Sequence, residues 1–365
     1  MDRARALARP GSLFLGALCA AALCARQPLA FAAPPVALIG VDLPLAGNDG
    51  GDGLMAQEGV LLAVSDWNAD AHHRQFGTVV RDTANGGFQN PHQDEGSDDP
   101  DEALTGAASL RAFAQNSAVV GVVGAFRSDV AQAEAPVAHA LALAVISGTA
   151  SSGDGDTLFR LAGSDEQLGF AAARAARDDG YTRVDLETDG SSRARVTTGA
   201  FQRAFTQMGG VTAASPAEAT LFAAVSGPAI LAPPPAARAI LTPEQRALFS
   251  TRGYQAPVIP DAYELIAPAS VRDSPAELEL ARRFEARFME APSDVALAFY
   301  AATQVLLDAA GNSVRPDRLH TIRELHRRRF TTVLGDVAFG DSGVDLAARF
   351  ARATIVNGRS HPRPL

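Results

Sequence analysis

Hydroxyl side chains follow two neighbouring apolar runs of the sequence. Ser128 closes the segment AFRS after the apolar run 119–124, and the segment 147–153 (SGTASSG) follows a second run. Ligands of open parallel sheets bind beyond the carboxyl ends of strands, and free N–H groups at a helix N-terminus suit an anion such as a carboxylate. The pattern therefore predicts a shared binding site that includes Ser128 and Thr149. The alternative is purely structural, with a helix N-cap at Ser128 and a turn at 149–152.

Motifs of catalysis, metal binding and cofactor binding are missing from the sequence. It has no lysine, which excludes a Gly-x-x-x-x-Gly-Lys phosphate loop, and it has neither Gly-x-Ser-x-Gly nor His-Glu-x-x-His. His72 and His73 are adjacent and diverge on a helix or strand, and the carboxylate pair Asp154 and Asp156 lies in a glycine-rich stretch typical of a turn. We therefore predict a binding protein with no catalytic residue, no metal and no cofactor. An exported hydrolase is the enzymatic alternative.

The segment 90–102 (NPHQDEGSDDPDE) is acidic and rich in turn-forming residues. A solvated loop is the first interpretation of such a charge run. A calcium site is the alternative, since clustered carboxylates suit a hard cation. The spacing of these carboxylates matches no calcium-loop motif.

Strands and helices must position these residues, and the sequence alternates between the two. The strands predicted in the first half are 36–41, 78–82, 119–124 and 143–146. The alternation restarts after 159–161 and ends in predicted helices at 276–289 and 294–310. Short connections between strand and helix are typical of a parallel sheet covered by helices on both faces. Two such units in one chain predict an α/β fold with two lobes.

The first stretch of the chain has the organisation of a cleaved signal peptide. Three arginines precede the apolar run 13–25, and the segment 30–32 (AFA) gives the small-x-small pattern of a signal peptidase site. We therefore expect residues 1–32 to be a signal peptide and the mature protein to reach the periplasm. An uncleaved anchor is the alternative, although the apolar run is shorter than the about 20 residues that a membrane helix needs.

Both cysteines of the chain, Cys19 and Cys24, lie inside this segment. A leucine precedes each of them, whereas lipid attachment favours a small residue, so a lipoprotein is the less favoured alternative. The expected mature chain contains no cysteine and therefore has neither disulfides nor thiolate metal ligands.

Composition limits the classes of partner. The full chain has 365 residues, 47% of them hydrophobic, and a net charge of −9. Taking the four arginines and one aspartate of residues 1–32 from 32 basic and 41 acidic residues leaves a net charge of −12. An acidic chain without a basic stripe argues against nucleic acid and against an anionic membrane surface as partners.

Several segments, in order along the chain, resemble the branched-chain amino-acid-binding (Leu/Ile/Val-binding) proteins of ABC importers, which are type I periplasmic binding proteins. The closest stretch is 120–152, and 39–47 (IGVDLPLAG) resembles the family's first strand and loop. The further similar segments are 59–68 (GVLLAVSDWN), 158–169, 189–205, 294–310 and 334–343 (LGDVAFGDSG). Their order and spacing carry the resemblance over nearly all of the expected mature chain.

This resemblance implies a fold of two Rossmann-like lobes, each a parallel sheet flanked by helices, joined by three hinge crossings. Lobe 1 would comprise residues 33–160 and 272–332, and lobe 2 residues 161–271 and 333–365. The implied function is a monomeric periplasmic solute-binding protein that closes on a small polar solute and delivers it to an ABC permease in the inner membrane. The solute would be an amino acid, an amide or a related carboxylate. A ligand-sensing or regulatory module on the same fold is the alternative.

The resemblance also implies which residues form the site. In that family a serine at the position of Ser128, with groups at the positions of Ala150 and Ser151, holds the carboxylate and ammonium of the ligand. The candidate ligand-binding residues of this cluster are Ser128, Thr149, Ala150 and Ser151, with Phe126 and Arg127 beside them.

Other positions depart from the family's pattern. Asp52 and Arg193 stand where the family often places aromatic side chains, commonly tyrosine. Asp261, with Tyr263 beside it, is the candidate partner for the ammonium of a ligand. If Asp52 and Arg193 face the cleft, they favour a more polar or zwitterionic ligand; the alternative is that both point to solvent.

Overall fold

The computed structural model describes residues 37–47, 49–84, 100–188, 190–213, 217–223, 229–232, 262–269, 274–311, 317–356 and 359–363. The expected signal peptide with both cysteines, most of the acidic segment 90–102, and Asp261 lie outside these residues. Within the described ranges, no helix combines the length and the apolar character needed to cross a bilayer.

Five parallel strands form the first sheet. They are β1 (Ala37–Leu43), β2 (Phe76–Asp82), β3 (Val119–Gly124), β4 (Ala144–Ser147) and β5 (Leu158–Arg160). Their order across the sheet is β2-β1-β3-β4-β5. Every residue of β3 is buried, as expected for a central parallel strand covered on both faces. This sheet confirms the parallel α/β arrangement predicted for the first half of the chain.

Helices cover both faces of the first sheet. They are α1 (Gly50–Ala69), α2 (Pro100–Gln115) and α3 (Ser128–Leu141), with α7 (Asp294–Gly311) and α8 (Arg318–Arg327) returning to it from later in the chain. Helix α6 (Pro275–Phe288) packs outside them, on α1 and α7. On one face, Ile39 of β1 packs in a core with Val60 of α1 and Leu306 of α7. On the other face, Leu110 of α2 packs in a core with Val145 of β4. The central strand β3 is thereby buried on both faces.

A second sheet of seven strands has its own core. Its strands are β6 (Arg183–Thr188), β7 (Val211–Thr212), β8 (Ala219–Ala223), β9 (Ala229–Ala232), β10 (Ala262–Ala269), β13 (Arg349–Val356) and β14 (Arg359–Arg363). The order is β14-β13-β10-β9-β8-β6-β7. Two helices, α4 (Asp165–Asp178) and α5 (Ser192–Gln207), pack against each other and against this sheet. Phe201 and Phe205 of α5 stack at 5.0 Å in its core.

The second sheet is mixed, so the expectation of a parallel sheet in each lobe was wrong. Strand β6 pairs with β7 and β8 in parallel, whereas β8 with β9, β9 with β10, β10 with β13 and β13 with β14 are antiparallel. Only residues 224–228 connect β8 to β9, and only 357–358 connect β13 to β14. A parallel crossover needs about a dozen residues or more, so these connections permit only antiparallel neighbours.

A short hairpin follows α8 and precedes the return of the chain to the second sheet. Its strands are β11 (Arg329–Thr332) and β12 (Gly335–Ala338). Phe330 and Val337 of this hairpin belong to the core of the first sheet. Beyond it, Val344 makes a parallel bridge to Arg160 at the end of β5. The segment after β12 therefore continues the edge of the first sheet before it enters β13.

Helices α1 and α7 cross at a glycine. A Cβ on Gly59 of α1 would collide with the carbonyl oxygen of Ala296 and would lie 3.2 Å from the backbone nitrogen of Tyr300. Both atoms belong to the backbone of α7 and cannot rotate away. This close approach fixes the position of α7, whose first turn lines the cavity described below.

Substitution of Gly59 by alanine tests this packing. We expect Gly59→Ala to lower the free energy of unfolding by about 1–3 kcal/mol, because the helices must separate to admit the methyl group. Gly51→Ala is the matched control, since a Cβ there meets nothing within 4 Å and alanine favours the helix by up to about 1 kcal/mol. Urea unfolding of both variants provides the measurement; equal effects of the two substitutions would refute the close-contact explanation.

Candidate functional site

Parallel pairing places the ends of β3 and β4 side by side. Val122 lies opposite Val145 and Val123 opposite Ile146. The segments that follow the two strands therefore emerge side by side at the carboxyl ends of the strands. The hydroxyl of Ser147 joins them by donating to the carbonyl of Ala125 at 2.8 Å.

Ser128 is the meeting point of the two segments. Its Oγ accepts the backbone N–H of Ser151 at 3.1 Å and of Ser152 at 3.3 Å, and it lies 3.3 Å from the Oγ of Ser151. The structure thus brings Ser128 and Ser151 together, as the strand-end pattern predicted. The Oγ of Ser152 accepts a further hydrogen bond from Gln132 of α3 at 2.7 Å.

The position of Ser128 in its helix differs from the sequence-based expectation by one residue. Arg127 is the N-cap of α3, with no side-chain capping bond, and Ser128 is the first helical residue. The hydroxyl of Ser128 therefore serves the neighbouring loop instead of capping its own helix. The helix N-terminus is left without a side-chain cap, and free N–H groups at such an end suit an anion.

The remaining members of the cluster shape these loops. Thr149 donates its hydroxyl to the carbonyl of Phe126 at 2.6 Å, and the N–H of Ala150 donates to Ser147 Oγ at 2.9 Å. Ala125 has a φ of +53° and is buried. A positive φ costs a non-glycine residue about 1–2 kcal/mol. Strain of this kind concentrates at functional sites, where the surrounding structure holds it in place.

Arg127, a candidate ligand contact, is engaged by acidic side chains. Its Nε lies 3.1 Å from Asp129 and its Nη1 lies 3.3 Å from Asp49. Glu102 of α2 lies 3.9 Å from the same Nε. Arg127 thereby connects the turn before α1, helix α2 and the first turn of α3, and it acts on the site through the position of its neighbour Ser128.

Arg160 is a site residue that sequence reasoning missed. It ends β5, its side chain is buried, and it donates to the carbonyl of Ser151 and, at 2.9 Å, to Asp154. Burial lowers the pKa of its guanidinium below the ordinary value. The only sequence signal was an arginine that closes the apolar run before the first expected crossing. Arg160 holds the loop that contains Ser151 against the edge of the sheet.

The other four predicted residues lie on other elements or outside the described residues. Asp52 is exposed in the first turn of α1. Arg193, in the first turn of α5, pairs with the buried Asp165 at 2.8 Å. Tyr263 lies in β10, opposite Ile355 of β13, and Asp261 lies outside the described residues.

A capping box sets the position of Asp165. Ser164 Oγ accepts the N–H of Gln167 at 3.1 Å, and the N–H of Ser164 donates to the side chain of Gln167 at 2.7 Å. This pair of bonds satisfies the first turn of α4. The capping box fixes the start of α4 directly after the connection 161–163. Because Asp165 in this first turn pairs with Arg193, Arg193 is held against α4.

A cavity of about 290 Å³ adjoins the strand-end cluster. Its wall is formed by Gly148 and Thr149, by the first turn of α7, and by the connecting segments 161–163, 332–337 and 345–349. Most of these side chains are apolar, such as Leu161, Val295 and Leu334. Thr149 belongs both to this wall and to the cluster around Ser128, so the polar loops and the apolar cavity form one continuous candidate site.

The acidic groups of this cavity already have partners. Asp345 accepts the N–H groups of Ala338 and Ala347, both at 2.9 Å. Asp336 accepts the hydroxyl of Thr331 at 3.1 Å. Burial raises the pKa of Asp345 above its ordinary value, and its two backbone hydrogen bonds oppose the rise. Within the described residues, no group of three histidine, cysteine, aspartate or glutamate side chains could hold a metal ion.

Substitution of Arg160 tests its role in holding the loop. We expect Arg160→Met to lower the free energy of unfolding by about 1–3 kcal/mol, because the carbonyl of Ser151 loses its donor inside the protein. Arg203→Met is the control, since Arg203 pairs with Glu166 on the surface, where both side chains are more than half exposed. The control should change stability by less than about 0.5 kcal/mol. Unfolding in guanidinium chloride measures the stability of both variants. An Arg160→Met variant as stable as the unchanged protein would contradict this role.

No family model and no curated protein matches this chain. Solved structures do match it over nearly their full length. A putative branched-chain amino acid ABC transporter protein from Rhodospirillum rubrum has 20% identity and a TM-score of 0.63, and the match covers 90% of this chain and 100% of that one. An ABC transporter substrate-binding protein from Desulfitobacterium hafniense in complex with Leu has 17% identity and a TM-score of 0.66, covering 90% and 99%.

A third similar structure is a solute-binding protein of an ABC transporter from R. palustris in complex with benzoate. It has 16% identity and a TM-score of 0.61, covering 89% of this chain and 94% of that one. The match extends over the parallel first sheet, the mixed second sheet and the segments that connect them. This chain has the fold of the type I periplasmic binding proteins.

Proposed function

We propose that this protein is a periplasmic solute-binding protein of an ABC importer. The observation that carries the proposal is the continuity of the polar loops around Ser128 with the cavity beside them. The cavity touches the segments 161–163 and 345–349, which run between the two sheets. A solute bound there contacts both halves of the protein, which is the geometry of binding by closure.

The loops around Ser128 suit an anionic group of the solute. The N–H groups of Ser151 and Ser152 donate to Ser128 Oγ, which leaves the hydroxyl proton of Ser128 to donate to a carboxylate of the solute. A hydrogen bond to a charged acceptor is stronger than one to a neutral acceptor. The apolar wall beside Thr149 accommodates the body of the solute.

The similar structures support transport and this class of solute. Those from D. hafniense and R. palustris hold Leu and benzoate, which share a carboxylate on an apolar body. All three are described as parts of ABC transporters, which favours transport over the sensing alternative. Binding needs no catalytic residue, and we propose that the protein is not an enzyme.

The proposal includes two lobes, a location and a partner. Lobe 1 comprises 33–160 and 272–332, and lobe 2 comprises 161–271 and 333–365. Export by a cleaved signal peptide at 1–32 places the monomer in the periplasm. There it delivers its solute to a permease in the inner membrane. The solute is an amino acid, an amide or a related carboxylate.

A solute panel tests the site. We expect L-leucine, L-isoleucine, benzoate or another small carboxylate to raise the melting temperature of the mature protein, with the dissociation constant then measured by titration calorimetry. Ser128→Ala should raise that dissociation constant about 10-fold or more, because a hydrogen bond to a charged group is lost.

Ser117→Ala is the matched control for this panel. Ser117 is exposed and precedes β3, at the amino end of the strand and away from the loops around Ser128. This variant should bind as the unchanged protein does. Absence of any stabilisation across the panel would count against solute binding, and equal binding by Ser128→Ala would place the site elsewhere.

Closure is measured separately by small-angle X-ray scattering. We expect the radius of gyration of the mature protein to decrease when a solute identified by the panel is added at saturating concentration. The decrease follows because a solute in the cavity bridges the two lobes and favours the closed state. An unchanged radius with tight binding would refute hinge closure while leaving the site intact.

A further inference from the structure

Three acidic side chains from three elements meet in the interior beneath the strand-end loops. Asp42 of β1 and Glu134 of α3 are 0% exposed, and Glu102 of α2 is 4% exposed. None of the four carboxyl oxygens of Asp42 and Glu134 has a hydrogen-bond partner within the described residues. Burial of an ionised carboxylate without donors or cations is costly, so this pair is not stable with both groups charged.

Neighbouring cations do not neutralise the pair. Arg127 is shared by Asp129, Asp49 and Glu102, as described above. Arg81 of β2 is exposed, and it favours the charged form of Asp42 only through space.

The remaining polar neighbours are hydroxyl groups. The hydroxyl of Thr83, after β2, donates to Glu102 at 3.3 Å. Ser109 of α2 lies near Asp42 and favours its charged form. Two glycines lie close to the pair: a Cβ on Gly106 of α2 would lie 2.5 Å from Glu134 Oε1, and one on Gly124 would lie 2.8 Å from the Cβ of Asp42.

A bound proton is the simplest way to satisfy this pair. Burial raises the pKa of Asp42 to about 7, although Glu134, Ser109 and Arg81 oppose the rise. Burial also raises the pKa of Glu134 well above its ordinary value, and the charge of Asp42 adds to the effect. A proton held between the two carboxyl groups supplies the donor that their oxygens lack.

The pair joins the two elements that place Ser128. Asp42 lies opposite Gly124, the last residue of β3 and the neighbour of the strained Ala125. Glu134 lies on α3, less than two turns after Ser128. A change in the distance between Asp42 and Glu134 therefore moves the first turn of α3 relative to the end of β3.

We propose that Asp42 and Glu134 are positioning residues that share a proton and thereby hold Ser128 against the N–H groups of Ser151 and Ser152. Loss of the proton makes the two carboxylates repel one another and loosens the first turn of α3. The consequence for solute binding rests on the proposed function, whereas the effect on the loops does not.

The direction of the pH dependence follows from the raised pKa values. The native state binds the proton more tightly than the unfolded state, so stability is lost as pH rises from the ordinary carboxyl range through about 7. The contacts of Ser128 are therefore firmest on the acidic side of neutrality and weaken above it. Glu102, whose pKa burial also raises to about 7, while the charge of Arg127 opposes the rise, acts in the same direction.

Hydrogen exchange of the mature protein without solute tests the positioning directly. The amides of Ser151 and Ser152 are followed by mass spectrometry at pH 6 and pH 8, and the rates are corrected for the intrinsic effect of pH. Their protection should fall as pH rises, by about 10-fold at most for each pH unit above about 7 if one proton is lost. Asp42→Asn and Glu134→Gln should each reduce this dependence to the part that Glu102 contributes, because an amide donates without ionising.

Glu166→Gln is the control, since Glu166 is exposed and pairs with Arg203 in another part of the protein. It should keep the pH dependence of the unchanged protein. Two variants are made because either amide alone replaces the shared proton, so a folding defect in one leaves the other as the test. Protection that does not vary with pH in the unchanged protein, or that varies equally in Asp42→Asn and Glu134→Gln, would overturn the proposal.

Calorimetric titration with L-leucine and with benzoate extends the test to binding. Affinity for the probe that binds should fall from pH 6 to pH 8 in the unchanged protein and fall less in Glu134→Gln. A level affinity in the unchanged protein, despite changing amide protection, would refute the link to binding. If neither probe binds at either pH while protection still responds to Glu134→Gln, the proposed solute class fails and the positioning pair stands.

Discussion

The pairing of β3 with β4 is the constraint on which the site depends. With Val122 opposite Val145, the two following loops emerge together and the hydroxyl of Ser147 reaches the carbonyl of Ala125 at 2.8 Å. A shift by one residue would turn Ser147 to the other face of the sheet and would part Ser128 from the loop at 151–152. The strained φ of Ala125 is tolerated because this register and the Ser147 bond hold both of its neighbours in place.

Strands β1 to β4 of the first sheet could be predicted from the sequence because apolar runs such as 119–124 alternate with helical segments. The predicted helix 294–310 corresponds to α7, Asp294–Gly311. The second sheet was harder to predict, since a short apolar run does not reveal whether the neighbouring strand is parallel or antiparallel. Strands β13 and β14, RFARATIV and RSHPR, are rich in arginine and lack an apolar pattern. Only their antiparallel pairing with β10 and with each other makes them strands.

The grouping of Ser128 with Thr149 and Ser151 could be predicted because strand ends alone determine it. The roles of buried charges could not. Arg160 resembles any arginine after an apolar pair until Asp154 and the carbonyl of Ser151 are seen beside it. Asp42 and Glu134 are separated by more than ninety residues in sequence, and their burial becomes evident only when α2 and α3 pack over the first sheet. The resemblance to the binding-protein family supplied Ala150 and Asp52, yet only the former lies in the cluster.

Arg160 connects the loops of the site to the segments that link the two sheets. Its side chain holds the carbonyl of Ser151, while its own N–H donates to Gly343 at 2.9 Å and its carbonyl accepts the N–H of Asp345. Asp345 in turn accepts the N–H groups of Ala338 and Ala347. A displacement of the segment 343–347 therefore acts on β5 and, through one buried guanidinium, on the loop that Ser128 contacts. Because a packed interior deforms little, the loop and the linking segment must move as one body.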